Sequence, residues 1–214
     1  MDVKIVRKKK DRMEFTLEGT SIPFANALRR IMVSEIPVMA IDYLDISDNT
    51  SALFDEIIAQ RLGLIPLEFD PSKFNFREEC KCKGEGCTAC TVVFAIEKEG
   101  PAMVTSGDMK SSNKGVSPID PNFPIVELLK KGQRVKLEAT ARLGKGKEHA
   151  KFQAANAVFQ NQPEMKGDKV NTEPEKFLFK IESISGLEAE FIVGKAAEIL
   201  EEKAKEFLKE AKEL

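Results

Sequence analysis

Residues 21–46, SIPFANALRRIMVSEIPVMAIDYLDI, constrain the fold of this chain more than any other stretch. Apolar side chains recur three or four residues apart in the first half, which predicts an amphipathic helix. Its apolar stripe consists of Phe24, Leu28, Ile31 and Met32. Pro37 ends the helix, because the residue before a proline is pushed out of the α region. The following VMAIDYLDI is mostly apolar on both faces, so we expect a strand inside a sheet and not at its edge.

Apolar patterns elsewhere predict a mixture of strands and helices. Alternation near the N-terminus predicts a hairpin over residues 3–17. A strand is expected at 91–100, with 101–109 as its neighbouring partner, and a short helix at 125–132. The stretch from 187 to 214 has the period of one long helix. The fold class is therefore expected to be α+β.

The long C-terminal helix carries a heptad seam, in which apolar residues step by four and three. The seam includes Val193, Leu200, Phe207 and Leu214. A helix that only covers its own sheet does not need an apolar seam up to the last residue. We therefore expect a partner helix on its distal half.

The four cysteines of the chain follow the pattern C-x-C-x4-C-x2-C at Cys80, Cys82, Cys87 and Cys90. Two close pairs joined by a glycine-rich turn can bring four sulfurs to one tetrahedral point, which is the arrangement that structural zinc prefers. Two disulfides and an iron–sulfur cluster are the alternatives. Disulfides are rare in the cytosol outside hyperthermophiles, and iron–sulfur sites usually have other spacings. The spacing favours one zinc ion per chain. Four thiolates leave no open position for catalysis.

Composition and charge exclude several classes of function. The chain has 214 residues, 42% apolar and 32% charged, with a net charge of −2. No overall positive field attracts it to DNA or to acidic lipid, and no apolar run approaches the length of a membrane span. The N-terminus lacks the apolar core of a signal peptide, so we expect a cytoplasmic protein.

No residue pattern indicates an active site. The single histidine, His149, lies in a basic loop without a nucleophile beside it. GKGKE at 144–148 lacks the continuation of a phosphate-binding loop. Paired carboxylates at an acid–base spacing are also missing from the sequence. We therefore expect no catalytic residues.

Two polar breaks, near residues 48 and 160, suggest that the chain folds as a split domain with an insertion. Residues 1–48 and 161–214 are expected to form one discontinuous domain. Residues 49–160 are expected to form a β-rich inserted domain that carries the cysteine loop at 80–90.

Three segments carry a resemblance to a known family: FANALRRIMVSEIPVMAID at 24–42, IIAQRLGLIPL at 57–67, and GKGKEHAKFQAANAVF at 144–159. In this order they resemble the α-like subunits of RNA polymerase, the family of bacterial α, the third-largest eukaryotic subunit and their archaeal counterpart (D). The third segment is typical of the archaeal and eukaryotic branch. The resemblance also supports zinc, since the eukaryotic counterpart has a zinc loop at this place.

The resemblance implies a non-catalytic subunit that assembles a polymerase. A dimerisation domain, built from both termini, would bind the small α-like subunit (L) through the first and last helices. The second-largest subunit and small zinc-containing subunits would then bind, without direct DNA contact by this chain. Motif matching places the contacts with large subunits at Asn26, Arg29, Arg30, Lys147, Glu148 and His149. The competing hypothesis is a stand-alone zinc-dependent nucleic-acid-binding protein, which would need a basic face.

Overall fold

The computed structural model describes residues 1–162, 165–166, 169–170 and 175–212. Three α-helices are present in this part: α1 (Ile22–Ser34), α2 (Asp55–Gly63) and α3 (Ala189–Ala211). The strands are β1 (Asp2–Lys8), β2 (Arg12–Glu18), β3 (Pro37–Asn49), β4 (Leu67–Glu68), β5 (Thr91–Glu99), β6 (Ala102–Thr105), β7 (Lys110–Ser111), β8 (Ser117–Pro118), β9 (Pro124–Leu128), β10 (Arg134–Lys145), β11 (Ala155–Asn161), β12 (Met165–Lys166), β13 (Lys169–Val170) and β14 (Lys176–Ser183).

The chain divides into two compact units. The first comprises residues 1–36, 145–147 and 153–214, and the second comprises 37–144 and 148–152. These divisions differ from those expected at residues 48 and 160. Strand β3 belongs to the second unit because it pairs with β10, and β11 belongs to the first because it pairs with β14.

The first unit is built on a four-stranded sheet in the order β1-β2-β14-β11, with antiparallel neighbours. Phe15 of β2 lies opposite Phe179 of β14, and the two rings stack with centroids 4.9 Å apart. Both side chains are buried, as is Phe177. The predicted N-terminal hairpin is confirmed by β1 and β2.

Helix α1 forms where the apolar period predicts it. Ser21 occupies the N-cap position with extended backbone, and Pro23 lies in the first turn, where its missing N–H is not needed. The apolar stripe faces inward: Ala25, Leu28, Ile31 and Met32 are buried, and the helix packs against β11 and α3. Helix α1 is therefore part of the core of the first unit.

The second unit is built on a sheet in the order β3-β10-β5-β7. Buried apolar residues of β5 and β10 face each other in register, with Leu137 opposite Ile96 and Ala139 opposite Phe94. This match explains why the expected pairing of 91–100 with 101–109 is wrong. The long strand β10 offers a matching apolar face, whereas β6 has four residues and pairs with β9 instead.

Two further predictions in this unit are wrong. The predicted helix at 125–132 is absent: β9 pairs with β6 there, and Ile125, Val126 and Leu128 are buried. A short run rich in β-branched residues gains more from a strand partner than from one helical turn. Strand β3 is the edge of its sheet. Its buried segment, Val38 to Ile41, is covered by packing against α2 and not by a second flanking strand.

Candidate metal centre and partner surfaces

The four cysteines lie in a loop of the second unit, just before β5, and their sulfur atoms converge. The Sγ atoms of Cys80 and Cys87 are 3.6 Å apart, as are those of Cys82 and Cys90. The Sγ atoms of Cys87 and Cys90 are 3.9 Å apart, and all four lie within 4.8 Å of one another.

These distances fit a tetrahedral metal ion. Four sulfurs at about 2.3 Å from a zinc ion lie about 3.8 Å apart. A disulfide needs a sulfur–sulfur distance of about 2.0 Å. All four cysteines are free thiols in this structure. The cluster can therefore hold a metal ion, and its geometry does not correspond to two disulfides.

The loop backbone brings the sulfurs together through tight turns. The N–H of Lys83 donates to the carbonyl of Cys80 at 2.9 Å, and the N–H of Cys90 donates to that of Cys87 at 2.9 Å. Lys83, Gly84 and Gly86 have φ values of 52°, 86° and 97°. Glycine reaches this left-handed region without steric cost, so Gly84 and Gly86 allow the reversal between the two cysteine pairs.

The thiols differ in acidity. A backbone hydrogen bond from Gly86 lowers the pKa of Cys82 to about 6. Burial raises the pKa of Cys90 to about 12. Since a metal binds thiolates, a cation at this point has to displace a proton from Cys90. Metal binding by this cluster is therefore expected to weaken as the pH falls.

Helix α3 changes from buried to exposed along its length. Ala189, Ile192 and Ala196 are buried against the first unit. The predicted seam lies beside these residues: Val193 and Leu200 are half-buried. Phe207 is 70% exposed. Leu214, the last seam residue, lies outside the described residues.

The apolar stripe of α1 is not a free surface. Leu28, Ile31 and Met32 are at most 7% exposed, and Phe24 is half-buried. The chain itself therefore covers these three residues, and Phe24 is the part of the stripe that stays partly exposed. Strand β11 and helix α3 pack against α1 and cover the three residues.

Two polar residues of α1, Asn26 and Arg29, are hydrogen-bonded to each other. Both Nε and Nη2 of Arg29 donate to Oδ1 of Asn26, at 3.2 and 3.0 Å. Arg30 is exposed. Arg29 is thus oriented along the helix, while the side chain of Arg30 remains accessible.

The loop that contains Lys147 is attached to the C-terminal end of α1. The N–H of Lys147 donates to the carbonyl of Ser34 at 3.0 Å, and its Nζ lies 3.1 Å from Oε1 of Glu35. A Cβ on Gly146 would lie 2.7 Å from the carbonyl oxygen of Val33, so only glycine permits this approach. The structure thus brings the predicted residue Lys147 next to α1.

Glu148 and His149 are placed by a separate polar cluster in the second unit. Asp42 accepts from Arg142 Nε at 2.6 Å and also pairs with Lys151. Arg142 Nη1 lies 3.1 Å from Oε2 of Glu148, and the N–H of Lys151 donates to Nδ1 of His149 at 3.1 Å. Both Glu148 and His149 remain exposed.

Asp42 is a member of this cluster that the sequence did not predict as part of a site. Asp42 is an acidic residue in an otherwise apolar segment of β3. This contrast is the feature of the sequence that could have identified it. Burial alone would raise its pKa, but hydrogen bonds from Lys151 and Arg142 outweigh it, so the pKa of Asp42 lies below its usual value.

Comparison with known proteins gives the family. A family model described as the RNA polymerase Rpb3/RpoA insert domain matches residues 44–160, which is more than half of the chain. The chain belongs to this family. It contains the insert domain of the α-like polymerase subunits.

Curated relatives carry the name DNA-directed RNA polymerase subunit Rpo3. The one from Archaeoglobus fulgidus is 42% identical over 165 residues, covering 77% of this chain and 62% of the relative. That from Methanosarcina acetivorans is 46% identical over 165 residues, covering 76% and 62%. That from Thermococcus kodakarensis is 46% identical over 153 residues, covering 72% and 56%. The matched region thus spans about three fifths of the length of these relatives.

Among the described residues, no helix combines the length and the apolar character that crossing a bilayer requires.

Proposed function

We propose that this chain is a non-catalytic assembly subunit of a DNA-directed RNA polymerase, similar to the archaeal α-like polypeptide D. It forms a heterodimer with the small α-like subunit (L), and the heterodimer recruits the large subunits. Membership of the insert-domain family and the names of the archaeal relatives support this function.

One observation carries the proposal of a partner surface. The distal half of α3 is exposed although it continues an apolar seam, with Phe207 70% and Leu208 57% exposed. Exposed apolar patches of this kind mark interaction sites. The small α-like subunit covers this half of α3 in the proposed heterodimer, and α1 contributes by packing against α3, not by direct contact with the partner through Leu28, Ile31 and Met32.

The first unit is the proposed dimerisation domain, and the second is the proposed insert domain. Docking of the second-largest subunit and of small zinc-containing subunits is assigned to exposed polar residues. In the first unit these are Arg30 and Lys147, with Asn26 and Arg29 beside them; in the second unit they are Glu148 and His149. The attachment of Lys147 to the end of α1 supports a shared surface for Arg30 and Lys147.

The proposed metal is a structural zinc ion held by Cys80, Cys82, Cys87 and Cys90. When bound, the ion cross-links a loop that has little apolar core of its own. All four tetrahedral positions are taken by thiolates, so the site has no catalytic role in this proposal.

The deciding experiment is co-expression with the small α-like subunit. Phe207→Asp places a carboxylate in the proposed interface. Complex formation would remove water from this carboxylate without supplying an opposite charge, at a cost of about 3 kcal/mol or more. We expect loss of the heterodimer in size-exclusion chromatography and loss of the large subunits in a pull-down. Phe207 is the cleaner position, because Leu200 is half-buried in the chain itself and Leu200→Asp also disturbs the fold.

Glu202→Ala is the control, since Glu202 is exposed on the same helix but off the seam. We expect this variant to assemble normally. A complete complex containing Phe207→Asp contradicts the proposed interface. Salt-sensitive DNA binding by the isolated chain in a filter-binding titration would favour a nucleic-acid-binding protein instead.

A further inference from the structure

We propose that Arg77 is a positioning residue for the metal centre, which acts on Cys82 through the turn formed by residues 84–86. This inference rests on the proposed structural metal and concerns what retains it. Arg77 is not a ligand. Its effect is to fix the backbone that orients one of the ligands.

The side chain of Arg77 binds the turn directly. Its Nε donates to the carbonyl of Gly84 at 2.7 Å, and Nη2 donates to the carbonyl of Glu85 at 3.4 Å. A guanidinium presents several N–H groups in one plane, so it can hold two successive carbonyls at once. Lysine has no such fork.

The turn needs this support because it contains two glycines in the left-handed region. Gly84 and Gly86 have φ values of 86° and 97°. Glycine has more backbone conformations available than any other residue, so an unsupported turn would leave this geometry readily. A Cβ on Gly84 would meet no other atom within 4 Å, so packing does not restrain that residue.

The turn connects Arg77 to a ligand. The N–H of Glu85 donates to the carbonyl of Cys82 at 3.1 Å, and the turn then leads directly into the next ligand, Cys87. Residues that orient the ligands of a metal affect how tightly the metal is held. Arg77 fixes Gly84 and Glu85, and thereby the backbone that joins Cys82 to Cys87.

The same guanidinium also lies near an aromatic ring of the sheet. The guanidinium carbon is 5.8 Å from the centroid of the Tyr43 ring on β3. Within the described part of the chain, Arg77 forms no ion pair with a carboxylate. Its polar contacts there go to the turn. The guanidinium thus contacts the Tyr43 ring and two carbonyls of the cysteine loop, and it links this loop to β3.

The test measures the rate of zinc release from the zinc-loaded 214-residue chain to a chromogenic chelator. Loss of a residue that orients a metal ligand typically weakens metal binding about 10–100-fold. We expect Arg77→Ala to accelerate release about tenfold or more. Arg77→Lys keeps the charge but loses the fork, and we expect it to behave like Arg77→Ala. Tyr43→Leu removes the aromatic surface and should give a smaller acceleration in the same direction.

Lys81→Ala is the matched control, because it removes one positive charge from the exposed segment between two ligands. It should leave the release rate nearly unchanged. Full rescue by Arg77→Lys, or equal acceleration by Lys81→Ala, would show a general charge effect and overturn the role of Arg77. Release from Arg77→Ala at the wild-type rate also overturns it while leaving the metal centre intact. A wild-type chain that binds no zinc under reducing conditions overturns the metal centre itself.

Discussion

Glu35 and Lys203 form an ion pair that joins the end of α1 to the distal half of α3, with Lys203 Nζ 2.6 Å from Oε1 of Glu35. The same carboxylate binds Lys147 in the loop after β10. One acidic side chain, only 13% exposed, thus connects α1, the exposed part of α3 and a loop assigned to large-subunit docking.

This pair predicts a pH dependence. Burial raises the pKa of Glu35, but hydrogen bonds from Lys203 and Lys147 outweigh it, so the pKa lies below its ordinary value. The stabilisation is therefore complete above the unfolded pKa of about 4.3 and is lost as the pH falls through the lower folded value. We expect Glu35→Gln to lower the free energy of unfolding at pH 7 by about 0.5–1 kcal/mol, since both lysines are half exposed. The difference from wild type in urea denaturation should shrink as the pH falls below the unfolded value. A constant difference would contradict the pairing.

The polar cluster on β3 predicts a larger loss. Asp42→Asn leaves Arg142 and Lys151 without their common carboxylate, and both side chains are less than 20% exposed. Breaking a largely buried ion pair in this way should cost about 2–3 kcal/mol, measured by chemical denaturation. Asp45→Asn on the same strand is the control, because Asp45 is exposed. Equal effects of the two substitutions would show that the cluster contributes nothing specific.

Replacement by alanine is predicted to change the free energy of unfolding in opposite directions at Gly146 and Gly194. In Gly146→Ala the new Cβ would lie 2.7 Å from the carbonyl oxygen of Val33 and 3.0 Å from Cα of Ser34. Backbone atoms cannot yield easily, so we expect a loss of about 1–3 kcal/mol in the free energy of unfolding. Gly194 lies within α3, where an added Cβ would meet no atom within 4 Å, and Gly194→Ala should stabilise the chain by about 0.5–1 kcal/mol. Thermal denaturation of both variants provides the check.

The cysteine cluster predicts about one zinc ion per chain in metal analysis, since four thiolates complete one shell. Cys87→Ser should release the metal and increase hydrogen exchange in residues 77–92, while α3 remains protected. Thr88→Ala, at the exposed neighbouring position, should retain the metal. Iron in place of zinc, or an intact reduced cluster without metal, would be incompatible with this centre.

Local patterns predicted the elements that depend on neighbouring residues. The hairpin β1–β2, helix α1 and the convergence of the cysteines all follow from spacing within a short window. The apolar period also predicted α3, but not which of its faces is buried. Its apolar stripe is wide enough for two surfaces, and Ile192 and Ala196, which flank the seam, are the residues that the chain itself covers.

Long-range contacts could not be predicted in this way. Asp42 meets Arg142 across 100 residues and Glu35 meets Lys203 across 168 residues, and no local period of the sequence predicts such pairs. The same limit explains the error at β9, where a short apolar run fits a helix or a strand equally well. Only its partner β6, with Val104 opposite Val126, decides between the two.

The strand order of the first sheet also determines when that sheet can form. Strand β2 lies between β1 and β14, and the stacked rings of Phe15 and Phe179 belong to opposite ends of the chain. During synthesis, the hairpin therefore leaves the ribosome with one edge unpaired and with Phe15 uncovered. Residues 37–144 of the second unit, by contrast, already contain the three long strands of their sheet, β3, β5 and nearly all of β10. The part of the chain that is made first thus completes its fold last, and until then its open edge has to be kept from other nascent chains.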